Sequence, residues 1–188
     1  MDTSRLPTRR LRIFLRDFRV VEAEAGFAEG QSLATYFGNR RTYLNLRATE
    51  WASTNEKIDH AMLRVDQVLY VAAPGNDVPL TTASGPTRLV EMQLDGGLRV
   101  RGGLLLGARQ RLSDVLESAG AFIPLTGAQL LRSGRPPKEV NVELGDIVLN
   151  QLAIQTVWEL AKPAPKPRSR GRASGDPEGG RADDLGGL

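Results

Sequence analysis

The sequence predicts a mainly β protein with a minor α component, built from two tandem ββαβββ units that each resemble a small barrel and pack together as a pseudodimer. The apolar pattern of residues 11–73 recurs in residues 90–152, 79 positions later and without a gap. Leu11, for example, falls on Val90. Because identity is low while the hydrophobic spacing is kept, the pattern is typical of a duplicated structural unit, for which we expect a pseudo-twofold arrangement.

The first predicted unit covers residues 9–73 and consists of a hairpin, a short helix and three further strands. Leu33, Tyr36 and Phe37 recur at helical spacing and predict the helix, and Gly38 suits the residue that ends it. Short apolar runs between turn residues predict the strands. The predicted segments are 11–15, 19–25, 33–37, 43–49, 61–65 and 68–72.

The second predicted unit covers residues 88–161 and follows a linker, 74–87, that holds three prolines and two glycines. Asp95-Gly96 is a strong signal for a tight hairpin turn. Residues 154–161 either extend the last strand or dock as a closing segment. The predicted segments are 88–94, 98–106, 111–116, 121–125, 138–144 and 146–150.

Residues 162–188 are predicted to be a disordered tail. They are rich in Pro, Gly, Arg and Ser and hold almost no large apolar residue, so little burial could offset the entropy cost of ordering them. The basic balance of the chain, a net charge of +3, is concentrated at the two ends, because residues 1–12 and the tail are net positive while the part between them is slightly negative. Only the ends could therefore attract phosphates strongly.

Composition excludes several classes of site and location. The chain has no cysteine, which excludes disulfides, thiolate metal sites and cysteine nucleophiles. The N-terminus lacks the apolar core of a secretory signal, and no apolar run approaches the length of a transmembrane helix. We therefore expect a cytoplasmic protein with no membrane span.

Three segments carry a resemblance to a known family: RLSDVLE (111–117), FIPLTGA (122–128) and VELGDIVL (142–149). They resemble a small uncharacterised bacterial domain family with an RLSDxL helical turn and a FIPLT strand, and the first unit looks like a diverged copy of it. Glu117 and Gly127 stand where this family often has Asn and Asp. The resemblance implies the fold and a bacterial origin, and it implies no activity.

No motif for catalysis, a metal or a cofactor is recognisable, so we expect no catalytic residues, no metal ligands and no cofactor. His60 is the only histidine and is expected to be exposed or at a strand edge. The glycines of the second hairpin lack the Gly-Lys-Ser/Thr ending of a phosphate-binding loop, which favours turn and bulge roles. Trp51 and Trp158 are expected to pack in the core, and Asp114 to accept a backbone hydrogen bond at a helix terminus.

The candidate contacts with nucleic acid or with a protein partner are arginines, around the second hairpin and in the tail. Glu91, Asp95 and Asp114 lie close in sequence to those of the hairpin, so cross-strand ion pairing is their alternative use. The residues are Arg99, Arg101, Arg109, Arg111, Arg168, Arg170 and Arg172.

Two functions are therefore carried forward from the sequence. The first is a non-enzymatic bacterial protein-interaction or scaffold module, whose partner is another protein or a second copy. The alternative is a nucleic-acid-binding regulator that uses the arginine-rich ends and the hairpin arginines. The low aromatic content, 5%, and the absence of a basic-aromatic stacking pattern argue against the alternative.

Overall fold

The chain is mainly β, as predicted. The computed structural model describes residues 6–38, 42–76, 78–106, 110–118, 120–132 and 140–160. Within these ranges one ten-stranded antiparallel sheet carries two short helices. The elements are β1 Thr8–Leu15, β2 Val20–Gly26, α1 Leu33–Gly38, β3 Tyr43–Trp51, β4 Lys57–Arg64, β5 Val68–Ala72, β6 Thr87–Leu94, β7 Arg99–Leu105, α2 Leu112–Ser118, β8 Phe122–Arg132, β9 Val140–Asn150 and β10 Ile154–Glu159. The predicted tail, 162–188, lies outside the described residues.

The last part of the second half differs from the sequence prediction. Segments 138–144 and 146–150 were expected to be two strands, but a single strand, β9, runs through residues 140–150. Gly145 has a φ of 73° and lies opposite an irregularity in the ladder with β8, so the chain passes this point without turning back. Residues 154–159 are the fifth strand of this half, β10.

Strand pairing in the first three strands of each half follows the same scheme at a constant spacing of 79 positions. Thr8 pairs with Gly26 in the first hairpin, and Thr87 pairs with Leu105 in the second. The ladders β2–β3 and β7–β8 also match, and each is interrupted by a bulge at the same position. The backbone plan of these strands therefore recurs along with the hydrophobic pattern.

The spacing changes at the next hairpin, so the ungapped correspondence is wrong beyond β8. Tyr43 pairs with Arg64, whereas Phe122 pairs with Asn150; the first residues of these pairs differ by 79 positions and the second by 86. The β8–β9 hairpin is therefore seven residues longer than the β3–β4 hairpin. Placing Leu63 on Val142 is consequently incorrect, and Leu149 is its counterpart.

The two halves lie head to tail in the sheet. The strand order is β10-β6-β7-β8-β9-β5-β1-β2-β3-β4, so the halves meet where β5 pairs with β9. A twofold arrangement would pair like strands with each other, but β5 pairs with the counterpart of β4. The expected pseudo-twofold arrangement is therefore wrong. We call the β5–β9 ladder the junction.

Side chains of the junction enter two separate hydrophobic cores on opposite faces of the sheet. Val71 and Val148 belong to the first core, with β1, β2, β3 and α1. Tyr70, Ile147 and Leu149 belong to the second core, with β6, β7 and β8. Because successive strand residues point to opposite faces, β5 and β9 bind both cores together. The junction is closed, and one buried polar side chain also crosses it: the Asn150 amide donates hydrogen bonds to the Val65 and Val68 carbonyl oxygens.

The helices are too short to serve as membrane spans. Among the described residues, no helix has the length and apolar character needed to cross a bilayer.

Candidate interaction surface

The sheet ends in two strands that each have only one neighbour within the described part of the chain. β4 pairs with β3, and β10 pairs with β6. An edge strand of this kind presents backbone N–H and C=O groups that another strand can bind. Both edges also carry large apolar side chains that are exposed to solvent.

The β4 edge exposes an aromatic and a thioether side chain. Met62 is 66% exposed and Tyr43, at the start of β3, is 47% exposed. Met62 lies opposite Asn45, which is two residues from Tyr43, so the two side chains lie on the same face of this hairpin. The opposite face, with Leu44 and Leu46, is buried in the first core. An exposed apolar patch beside an unpaired edge is typical of an interaction site.

The second edge borders an open groove between α2 and β10, with a volume of about 550 Å³. Its apolar lining consists of Leu112, Leu116, Ile154 and Val157. The Gln151 side-chain amide donates a hydrogen bond to the Leu116 carbonyl and fixes α2 beside β10. We call this the α2–β10 groove.

The start of α2 is held by Asp114, as the sequence predicted. Its carboxylate accepts a hydrogen bond of 3.0 Å from the Arg111 backbone N–H. This contact satisfies a donor that would otherwise have no partner before the helix.

The two tryptophans differ in how far they are buried. Trp51 is partly buried and packs against the first core, with the Arg19 guanidinium 4.5 Å from its ring centroid. Trp158 is 42% exposed on β10, so its expected place in the core is wrong. The reason is the position of β10 at the end of the sheet, where one side of the strand has no neighbour in the part of the chain that the structure describes.

The hairpin arginines of the second half form an ion-pair cluster rather than a free basic face. Glu91 is buried; it accepts hydrogen bonds from Arg99 Nε at 2.7 Å and from Arg101 Nη2 at 2.9 Å. Burial opposes ionisation, but the hydrogen bonds from Arg101 and Arg99 outweigh it and hold the pKa of Glu91 below its ordinary value. The alternative use of these two arginines, cross-strand ion pairing, is what the structure shows.

The remaining candidate arginines are not part of this cluster. The Arg111 side chain is exposed beside α2. Four others lie outside the described residues: Arg109, Arg168, Arg170 and Arg172.

His60 lies on β4, exposed at the edge of the sheet, as expected. Its Nε2 hydrogen-bonds the Asn45 side-chain oxygen of the neighbouring strand. The described residues contain no cluster of three or more His, Cys, Asp or Glu side chains that could hold a metal ion.

A smaller polar cleft of about 300 Å³ lies over the bulge between β2 and β3. Glu22 lines it and accepts hydrogen bonds from Arg12 and Arg10, which hold its pKa below the ordinary value. The Thr49 residue also lines the cleft, and its hydroxyl is buried with no hydrogen-bond partner among the described residues. The Glu22 carboxylate is therefore already paired with two cations of the chain.

Sequence reasoning missed the surface residues that the fold brings to the edges, above all Tyr43, Met62 and Trp158. One signal was present, because Tyr43 matches Phe122 at the spacing of 79 positions and both are aromatic. The position of Met62 could not be found in this way, because it follows the change of spacing.

Comparisons of this chain with protein-family models, with curated proteins and with solved structures found no match.

Proposed function

We propose that this protein is a non-enzymatic bacterial interaction or scaffold module that binds a protein partner through the two free edges of its sheet. One observation carries this proposal: at β4 and again at β10, an edge strand with only one neighbour among the described strands lies beside exposed apolar side chains. Strand addition to such an edge supplies backbone hydrogen bonds, and neighbouring apolar side chains supply burial and specificity.

The architecture supports the same proposal. Two hydrophobic cores share the central strands, so the sheet forms a continuous frame between its two edges. Such a frame can hold two binding edges at a fixed distance, which is what a scaffold requires. The polar groups of the second hairpin are used for internal ion pairs rather than presented together in a reactive site.

Site-specific photo-crosslinking in the native host tests the proposal. A photoreactive phenylalanine analogue is placed at Met62 or at Trp158 of the full chain, and at Leu89 as a control. Leu89 is also an exposed apolar strand residue, but its strand has a neighbour on both sides. We expect discrete protein adducts from the two edge positions. Adducts no more abundant than those of the Leu89 control would contradict the proposal.

The ion pairs of the second half weaken the alternative hypothesis of a nucleic-acid-binding regulator. Arg99 and Arg101 are both ion-paired with Glu91, so the only other candidate arginines are Arg111 and those outside the described residues. A salt-dependent shift of single-stranded RNA or DNA would favour it, and no binding at about 50 mM salt would exclude it.

A further inference from the structure

We infer that the partner of the two edges is a second copy of this chain, bound head to tail, with β4 of one copy adding to β10 of the next. In this arrangement Tyr43 and Met62 of one copy enter the α2–β10 groove of its neighbour. The inference rests on the proposed function and names its partner. It is carried by the junction inside the chain, which shows how such a pair of edges fits together.

At the junction, the second half inserts two apolar side chains into the core of the first half. The Phe122 ring lies 5.1 Å from the Phe37 ring, and only 3% of the residue is exposed. Val148 is fully buried and lies opposite Val71 in the β5–β9 ladder. These two residues supply the apolar contact of the second half with α1 and β5 on the face of the first core, and the Asn150 amide adds a hydrogen bond of 2.8 Å to the Val68 carbonyl oxygen.

Tyr43 and Met62 occupy the same positions in the first half as Phe122 and Val148 in the second. Tyr43 starts the β3–β4 hairpin as Phe122 starts the β8–β9 hairpin. Met62 lies two residues before the end of its paired strand, and Val148 lies two residues before the end of β9. The first half therefore carries the same docking pair, but presents it to solvent.

The α2–β10 groove is the counterpart of the site that receives Phe122 and Val148. That site lies between α1 and β5, and its walls include Leu33, Phe37 and Val71 in the first core. The α2 residues that line the groove lie 79 positions after their counterparts on α1. The β10 residues that line it lie 86 positions after their counterparts on β5. The lining residues Leu112, Leu116, Ile154 and Val157 thus correspond, in order, to Leu33, Phe37, Val68 and Val71.

The strand registers support this correspondence. In the ladder of β1 with β5, Ile13 pairs with Val71, and an irregularity follows between Phe14 and Leu15. In the ladder of β6 with β10, Met92 pairs with Val157, and a matching irregularity lies near Leu94. Because the backbone course of β10 matches that of β5, its free side can accept a strand as β5 accepts β9.

The junction also fixes the expected register between copies. Within the chain, Val71 lies opposite Val148. The same register places Val157 of one copy opposite Met62 of the next, so an exposed apolar side chain of the β4 edge lies against an apolar wall of the groove.

This contact joins two different surfaces, so it is heterologous, and each added copy again presents a free edge of each kind. Such contacts produce a closed ring or an open filament, depending on the rotation between successive copies. The contact is weaker than the junction within the chain. Leu69 and Tyr70 are buried at the junction, while their counterparts Gln155 and Thr156 are polar and exposed.

Sedimentation velocity of the full chain, from low micromolar to near-millimolar concentration, tests the inference. Two variants each block one edge: Met62→Lys and Thr156→Lys. Both positions are exposed within the chain, so folding should be kept, as circular dichroism and thermal unfolding would verify. Leu89→Lys is the matched control on a strand that has two neighbours.

We expect the wild-type chain and Leu89→Lys to form assemblies larger than a dimer as the concentration rises. Each edge variant alone should associate at least about tenfold more weakly, because a charge replaces a central contact. An equimolar mixture of the two variants should form a one-to-one dimer and nothing larger, because only one intact pair of edges remains.

Two results would overturn the inference. The first is a wild-type chain that stays monomeric over the whole range, and the second is an edge variant that associates by itself as strongly as the wild-type chain. Neither result would remove the proposed function, since crosslinks from Met62 and Trp158 to a different protein would still support it. Loss of those crosslinks as well would remove both.

Discussion

The ring of Phe122, from the second half of the chain, lies 5.1 Å from the ring of Phe37 in the core of the first half. This contact crosses the junction, and α1 also packs against β8 and β9. Neither half therefore completes its core alone. The two halves should unfold together in one transition, because loss of the junction exposes apolar side chains of both cores.

The first prediction concerns this contact. Phe122→Ala should lower the free energy of unfolding by about 3–5 kcal/mol, because it removes a buried aromatic ring and leaves a cavity. Chemical denaturation at low micromolar protein concentration measures the effect. The matched control is Tyr43→Ala at the corresponding exposed position, which should cost less than about 1 kcal/mol. Equal losses for the two variants would contradict the burial of Phe122 at the junction.

The second prediction concerns the carboxylate at the centre of the ion-pair cluster. Glu91→Gln should lower the free energy of unfolding by about 1–3 kcal/mol, because two arginines lose their charged acceptor in a largely buried place. Glu22→Gln is the control: Glu22 pairs with Arg12 at the corresponding place in the first hairpin, and its two arginines are mostly exposed. The control should cost less than about 1 kcal/mol.

The third prediction is the pH dependence of the same group. The pKa of Glu91 is lower in the folded chain than its ordinary value, so the unfolded chain binds more protons in the acidic range. The contribution of the Glu91 carboxylate to the free energy of unfolding should therefore be complete above the ordinary glutamate pKa of about 4.3. It should be lost as the pH falls through the lower pKa of the folded chain. The difference in unfolding free energy between wild type and Glu91→Gln should be constant near neutral pH and shrink in acid. A difference that grows in acid would show the opposite sign of the shift.

The elements and the ion pairs of the second hairpin could be predicted from sequence because both depend on local spacing. Alternation on β6 and β7 brings Glu91 opposite Arg101, and no information from distant residues is needed. The short helices follow in the same way from apolar residues at helical spacing.

The head-to-tail arrangement could not be predicted, because it depends on which face of a strand meets which core. Val148 and Leu149 are both apolar and both fully buried, yet they enter different cores. The change of spacing was hidden for a similar reason. Val142 is apolar like Leu63 and gave a good match in sequence, but it is 36% exposed, while the true counterpart Leu149 is buried. A pattern of apolar residues indicates which side chains are buried, but it does not indicate which residues they pack against.

The last prediction uses the two bulges that the halves share. Ala48, in the bulge of β3, has a φ of 42°, and Gly127, in the bulge of β8, has a φ of 54°. The left-handed region costs an alanine roughly 1–2 kcal/mol and a glycine almost nothing, although glycine loses more freedom on folding. Ala48→Gly should therefore raise the free energy of unfolding, by up to about 1 kcal/mol, and Gly127→Ala should lower it by about 1 kcal/mol. Among the described residues, apart from its two chain neighbours, no atom lies within 4 Å of a Cβ placed at Gly127, so the loss reports backbone strain and not a clash. Denaturant titration of both variants checks the pair, and a change of the same sign in both would refute the shared backbone geometry at the bulges.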